Sequence, residues 1–397
     1  MNKIERIDHT FDLIKDDLKA MTLEIHANPE LGMEEYQACE LQMNLLKKYG
    51  FEVRNNYCGI PTSYIACYKG EKSGPKIAML AEYDALPGIG HACGHNLIAM
   101  VACGAGIGMK EFADELGGEI YVIGTPAEET VGAKAIMADA GGFDEMDVIM
   151  MSHPGYFNLE SANTLAIKSV YFDFYGKTAH ASGMPEDGLN ALDAVINTFV
   201  MINALRQQTQ DDARIHGIIT MGGDAPNIIP DHTQAHFFVR AEKIDYLESL
   251  FEKVCDCARA GAMGAGCRVE ITLGEGQFCD TNSNKVLSKL NTKNMELLGE
   301  KMLPAPEKAI AGSTDMGNAS YRCPAIQTIY DTTHWVEVPA HTVEFTECVK
   351  TEYALEQSVK CAKGHVLTAI DLMEDPAHLE AIREEFSGIS KRPAELK

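Results

Sequence analysis

The chain has 397 residues, more than one hydrophobic core usually serves, and its 46% hydrophobic and 23% charged content excludes a disordered polymer. Its 34 Lys and Arg against 58 Asp and Glu give a formal net charge of -24, which argues against a grip on nucleic-acid phosphates or anionic membranes. Neither nucleic acid nor membrane is expected as a partner, and the charge reads as a solvated acidic surface.

The first stretch, MNKIERIDHTFDLIKDDLKAMTLEIH, has the pattern of a charged amphipathic helix and lacks the apolar core of a signal peptide or anchor. Twelve cysteines are scattered without the dense framework of a small secreted domain, so free thiols in a reducing cytoplasm are expected. Short apolar runs at 76–86 (KIAMLAEYDAL), 119–125 (EIYVIGT) and 147–153 (DVIMMSH) alternate with helical stretches. That alternation predicts an α/β fold with a mostly parallel central sheet. Ligands of such sheets bind beyond the carboxyl ends of the strands, and these runs lead into DALPGIGHACGH, TPAEE and SHPG.

The middle of the chain reads as strand 163–175, helix 188–208, strands 214–221 and 233–242, helix 246–262 and strand 267–273. This βαββαβ order predicts a ferredoxin-like domain at 163–279, inserted between catalytic segments 1–162 and 280–397. Helical segments resume at 284–299 and from Phe345 to the C-terminal end.

HACGHN places Cys93 and His95 two residues apart, close after the DALP turn and, on this reading, at a strand end. A thiolate with an imidazole suits zinc or a similar first-row metal, although a Cys beside Gly at a helix start is also an ordinary packing residue. In TPAEET, Glu128 and Glu129 are adjacent, and desolvating both without a cation would be costly; on an exposed loop they would be plain solvated charge. His153 in SHPG and His341 in VPAHTVEF supply further imidazoles.

HANPELGMEE (with Glu30 and Glu35), EYDALPGIGHACGHN, GTPAEE, SHPG, GKTAHAS, NIIPD and GSTDMGNAS occur in the order and spacing of one family. Over nearly the whole chain the sequence resembles the aminoacylase and glutamate-carboxypeptidase family of two-metal peptidases. The match is to the amidohydrolase subgroup with cysteine in place of the bridging aspartate, which includes aminobenzoyl-glutamate hydrolases, aminoacylases and dipeptidases. The resemblance implies Cys93, His95, Glu129, His153 and His341 as ligands of two divalent ions per subunit, with Cys93 as a thiolate bridge. Zinc or manganese is expected first, with cobalt or nickel as alternatives. His334 competes with His341, which fits the family's last His motif better. Asp84 is expected to orient a metal-binding imidazole. Asn96 replaces the aspartate many members carry after the second ligand, a subgroup mark that makes the substrates of Asp-bearing members a poor guide.

The implied reaction is cleavage of the amide bond of a small N-acyl amino acid or dipeptide by a metal-activated water, with Glu128 as general base and then general acid. The resemblance assigns oxyanion stabilisation to His180 of GKTAHAS, commonly supplied by the partner subunit, assisted by Asn227 of NIIPD. The inserted domain is therefore expected to act as lid and to form a homodimer or higher oligomer. Arg240 matches a lid arginine that binds the substrate carboxylate, although a surface ion pair explains it equally well; Gly312, Ser313 and Thr314 form a loop able to donate to the same group. The alternatives are a binding or scaffold protein of the same fold without catalysis, and a peptidase of broader specificity.

Overall fold

A computed structural model describes residues 1–389. The chain divides into two compact units, one made of Met1–Asn163, Thr281–Ile310 and the residues from Thr314 onward, the other of Thr164–Asp280 and Ala311–Ser313.

In the first unit α1 (Lys3–Ala27) starts at a capping box, in which the Asn2 side chain accepts the Glu5 N–H and the Glu5 carboxylate accepts the Asn2 N–H, each at 2.9 Å. Its buried stripe, Ile7, Phe11, Ile14, Leu18, Met21 and Ile25, alternates spacings of four and three, as one helix face requires. There follow α2 (Tyr36–Lys48), β1 (Glu52–Asn55), β2 (Tyr64–Lys69), β3 (Lys76–Ala81), α3 (His95–Leu116), β4 (Glu119–Gly124), α4 (Ala133–Asp139) and β5 (Val148–Gly155).

The second unit runs β6 (Ala166–Tyr175), α5 (Ala191–Leu205), β7 (Arg214–Met221), β8 (His232–Ala241), α6 (Ile244–Gly264) and β9 (Arg268–Leu273). Its antiparallel sheet has the order β7-β8-β6-β9, the ferredoxin-like arrangement expected from the sequence. Residues alternate along β8, with Thr233, Ala235, Phe237, Val239 and Ala241 buried between partly exposed neighbours.

The chain then completes the first unit with α7 (Lys285–Leu297), α8 (Met316–Ser320), β10 (Ala325–Asp331), α9 (Val343–Cys348), α10 (Glu352–Glu374) and α11 (Pro376–Ser387). The sheet order is β1-β2-β4-β3-β5-β10; β4, β3, β5 and β10 pair in parallel, and β1 and β2 add an antiparallel edge. Alternate residues feed two cores. Ile77, Met79, Ile120, Val122 and Met150 face a cluster with α1, α3 and α10, whereas Ala78, Leu80, Ile123, Ile149 and Met151 face one with α4 and α8. Helices on both faces bury most residues of the parallel strands, which explains their apolar runs.

Two differences from the sequence reading have local causes. The strand expected over 76–86 ends at Ala81, opposite Gly124, and the chain leaves the sheet at the residues that build the site. The helical stretch expected from Phe345 is broken at Thr351, whose side chain caps α10, and again at Asp375–Pro376, where Asp375 caps α11 and Pro376 has no N–H to continue α10. Its last stretch, 390–397, lies outside the described residues.

Candidate metal centre

The chemistry-bearing segments of the α/β unit converge. Asp84 Oδ1 lies 2.8 Å from His95 Nδ1, and its Oδ2 accepts the Glu129 N–H at 2.9 Å. This assigns the Nδ1 proton of His95 to Asp84 and leaves Nε2 as the free nitrogen. Burial opposes charge on Asp84, but the His95 ring holds its carboxyl below the usual range.

Cys93 and His95 do not stand at a strand end; His95 is the first residue of α3 and Gly94 caps it. Gly94 has φ +78, and a Cβ there would come within 2.5 Å of Pro154 Cγ, so the C-G-H spacing needs glycine. Cys93 Sγ thereby reaches 3.3 Å from His153 Nε2 at the end of β5, while His153 Nδ1 donates to the Pro154 carbonyl at 2.8 Å. Cys93, His95 and His153 present ligand atoms within 4.8 Å of one another. Burial pushes the Cys93 thiol up and the His153 imidazole down, so both are neutral without a cation.

The TPAEET loop is shaped from the N-terminal segment. Ala127 is left-handed, with φ 58, and its N–H donates to Glu35 Oε1 at 2.7 Å. Burial pushes the Glu35 carboxyl to about 7, with the Asp84 charge acting the same way. The loop aims Glu129 Oε1 at His341 Nε2, 3.0 Å away. His341 is itself left-handed, and its N–H donates to the Ala92 carbonyl at 2.8 Å. Cys93, Glu129 and His341 form a second group within 4.8 Å, sharing Cys93 with the first. Burial opposes charge on Glu129, but His341 and His95 hold its carboxyl below the usual range, and the adjacent Glu129 carboxylate raises His341.

Glu128 places an oxygen within 4.8 Å of His95 and Glu129. Burial raises its carboxyl well above the usual range, and the charges of Glu82 and Asp315 push in the same direction. His334 is exposed, stacks on Tyr353 with ring centroids 3.5 Å apart, and is in no metal-competent group among the described residues. Asn96 is buried and donates to the Val349 carbonyl at 3.1 Å, so it ties α3 to the end of α9.

Sequence reasoning missed Glu82, Lys134 and Asp315. The Lys134 ammonium, 0% exposed, lies 2.6 Å from Glu82 Oε1 and pairs with Asp315, which also accepts the Lys134 backbone N–H at 2.8 Å. The available signal was a carboxylate directly after an apolar strand, in LAEYD.

In the inserted unit His180 bridges to Ile228, and the Ala181 N–H donates to the Asn227 carbonyl at 3.0 Å, so His180 and Asn227 are neighbours. His180 is exposed and its Nδ1 accepts the Gly183 N–H at 3.1 Å, which leaves Nε2–H as an outward donor. Arg240 Nη1 lies 3.1 Å from Ser313 Oγ. Gly312 belongs to the same unit and its carbonyl accepts the Leu165 N–H at 2.9 Å. Thr314 belongs to the α/β unit, where it is buried and accepts the Met316 N–H at 3.2 Å.

The donor set tests whether a metal fits. His95 Nε2 is buried with no hydrogen-bond partner, and so is Glu129 Oε1 in hydrogen-bond terms. Orphaned donor atoms of this kind are costly unless a cation engages them, and thiolate, imidazole and carboxylate together suit a first-row divalent ion. The residues fit.

A parallel α/β sheet with sulfur, nitrogen and carboxylate donors gathered beyond its strand ends defines a metal-dependent hydrolase. The model of the peptidase dimerisation domain matches residues 164–266. The chain is 35% identical to the Xaa-Arg dipeptidase of Mus musculus, covering 96% of this chain and 90% of that protein. It is 26% identical to one of the p-aminobenzoyl-glutamate hydrolase polypeptides of Escherichia coli, covering 92% and 91%. Its fold is similar to that of a dinuclear metal-binding peptidase from Bacillus subtilis, with a TM-score of 0.70, 19% identity, and 91% and 99% of the two chains covered. The chain belongs to the M20 family of metallopeptidases and is a metal-dependent amidohydrolase.

Proposed function

We propose that the chain hydrolyses the amide bond of a small dipeptide or N-acyl amino acid, with Cys93, His95, Glu129, His153 and His341 holding two divalent ions and Glu128 carrying the proton. The observation that carries this reading is the pair of donor groups sharing Cys93, with Glu128 within 4.8 Å of His95 and Glu129. When bound, the ions would polarise the scissile carbonyl and acidify a water. Glu128 takes the water proton on its carboxylate and returns it to the leaving nitrogen, so one group serves as base and then acid. Asp84 keeps the His95 ring in one tautomer throughout. Zinc or manganese is proposed, with cobalt or nickel also compatible with this donor set. The mouse relative's name makes a dipeptide ending in arginine the first substrate to test.

The assembly proposed is a homodimer built through the inserted unit, with His180 acting at a neighbouring copy's centre. Supporting it are the dimerisation-domain match and the exposed apolar residues Ile218, Ile219 and Met221 on β7, at an edge of its sheet, with Ile196, Val200 and Met201 on α5. Arg240 and Ser313 are proposed to bind the substrate carboxylate, with Gly312, Thr314 and Asn227 assisting. A reducing, cytoplasmic location is proposed on the twelve free cysteines. No helix of the described residues is long and apolar enough to cross a membrane.

The test is a screen of metal-reconstituted protein against dipeptides, N-acyl amino acids and a blocked long peptide, with mass detection of both products. Cleavage confined to the small amides is expected, and Glu128→Gln should lower kcat by at least about 100-fold with both ions retained. Failure to cleave any small amide, or equal cleavage of the long peptide, overturns the reading.

A further inference from the structure

Glu82 is not among the five ligands proposed above, yet its side chain faces one of them. The residue is 1% exposed and both its carboxylate oxygens lack a hydrogen bond. Oε1 lies 2.6 Å from the buried Lys134 ammonium, which Asp315 holds from the other side. Oε2 lies 3.3 Å from His95 Nε2, the one ring nitrogen that Asp84 leaves free, and no hydrogen bond joins them.

With Nδ1–H directed to Asp84, His95 Nε2 and the Glu82 carboxylate oxygen face each other in a buried space with no hydrogen bond between them, and a cation lying between the two would engage both. Nitrogen and oxygen ligands of one tetrahedral ion, each about 2.0–2.1 Å from it, stand about 3.3–3.4 Å apart. The observed separation fits that relationship. A carboxylate this deeply buried also needs a fixed charge at its other oxygen, and Lys134 supplies it.

The geometry points to Glu82 as a further carboxylate ligand of the ion that His95 binds, with Lys134 and Asp315 as the positioning pair behind it. This rests on the two-metal reading proposed above. It gives that ion one more protein donor than Cys93, His95 and His153 provide, and it makes the two ions unequal in affinity.

Wild-type and Glu82→Gln proteins are stripped with chelator and titrated with Co(II). Binding is followed by the visible d–d and thiolate charge-transfer bands and by metal retained after dialysis. The wild type should take up two equivalents; Glu82→Gln should bind one of them at least about 100-fold more weakly, beyond the usual loss for an outer contact, with altered d–d bands. Glu82→His, which offers a nitrogen in place of the oxygen, should recover the affinity with bands of its own. Glu82→Gln with wild-type affinity and spectrum for both ions overturns the assignment alone, whereas a wild type that does not bind two ions overturns the two-metal reading itself. Should Glu82→Gln not fold, as judged by circular dichroism of the metal-free form, the Glu82→His spectrum decides: bands identical to wild type refute a ligand at this position, and shifted bands support it.

Discussion

Asp84 and His95 are joined by a 2.8 Å contact from Oδ1 to Nδ1, and the second oxygen of the same carboxylate accepts the Glu129 N–H at 2.9 Å. One buried group thus orients two proposed ligands that lie on different segments. A carboxamide cannot do both, because its NH2 must face either the imidazole N–H or the backbone N–H. Asp84→Asn should therefore weaken metal binding by about 10–100-fold, measured by chelator competition. Unchanged affinity would show that the contact only supports the fold.

Cys93 is the donor common to the group with His95 and His153 and the group with Glu129 and His341. Burial holds its thiol protonated in the metal-free protein, and coordination by a cation favours the thiolate. A serine hydroxyl is far harder to deprotonate, so Cys93→Ser should lose metal and activity together, read by elemental analysis after dialysis alongside turnover. Two tightly bound ions and a normal rate in this variant would remove Cys93 from the site.

Much of this was legible in the sequence because the parallel strands are buried on both faces and their ends carry polar motifs. The ferredoxin-like order was legible from strand and helix lengths alone. The short antiparallel strands β1 and β2 were not, since β1 is four mostly exposed residues and β2 a six-residue run buried only over its first half, too short to give a period. β10 was missed because its AIQTIYD run precedes no recognised strand-end motif. Lys134, in VGAKAIM, looks like a solvated helix residue; what buries it is a pair of carboxylates at Glu82 and Asp315, far away on either side in sequence. His341 could be preferred to His334 only by resemblance, whereas the fold separates them through the His341 N–H bond to Ala92, next to Cys93.

His365 links the α10 helix to β5 at Ser152, next to His153. It is 0% exposed, with Nε2 2.7 Å from Ser152 Oγ and Nδ1 receiving the Asn291 amide at 3.4 Å. Burial lowers its pKa from 6.5 to about 4. The unfolded chain takes up a proton below pH 6.5 and the folded chain does not until about pH 4, so stability falls as pH is lowered through that window. The loss from this one group should approach about 3 kcal/mol. Denaturation midpoints of metal-free wild type and His365→Gln between pH 7.5 and 4 should converge as the pH drops, and parallel curves would show that His365 titrates normally.

The proposed trans action of His180 can be separated from action within its own chain by mixing two inactive variants. Glu128→Gln lacks the proton carrier but keeps His180; His180→Ala keeps Glu128 and its metal ligands. After random exchange at equal concentration, half of the dimers are hybrids. If the histidine is supplied in trans, one of the two sites in each hybrid has both groups intact, so about a quarter of wild-type activity should return. If it is supplied in cis, every site lacks one group and none returns. Native mass spectrometry establishes that hybrids form, and their presence without activity would confine His180 to its own chain or exclude it from the reaction.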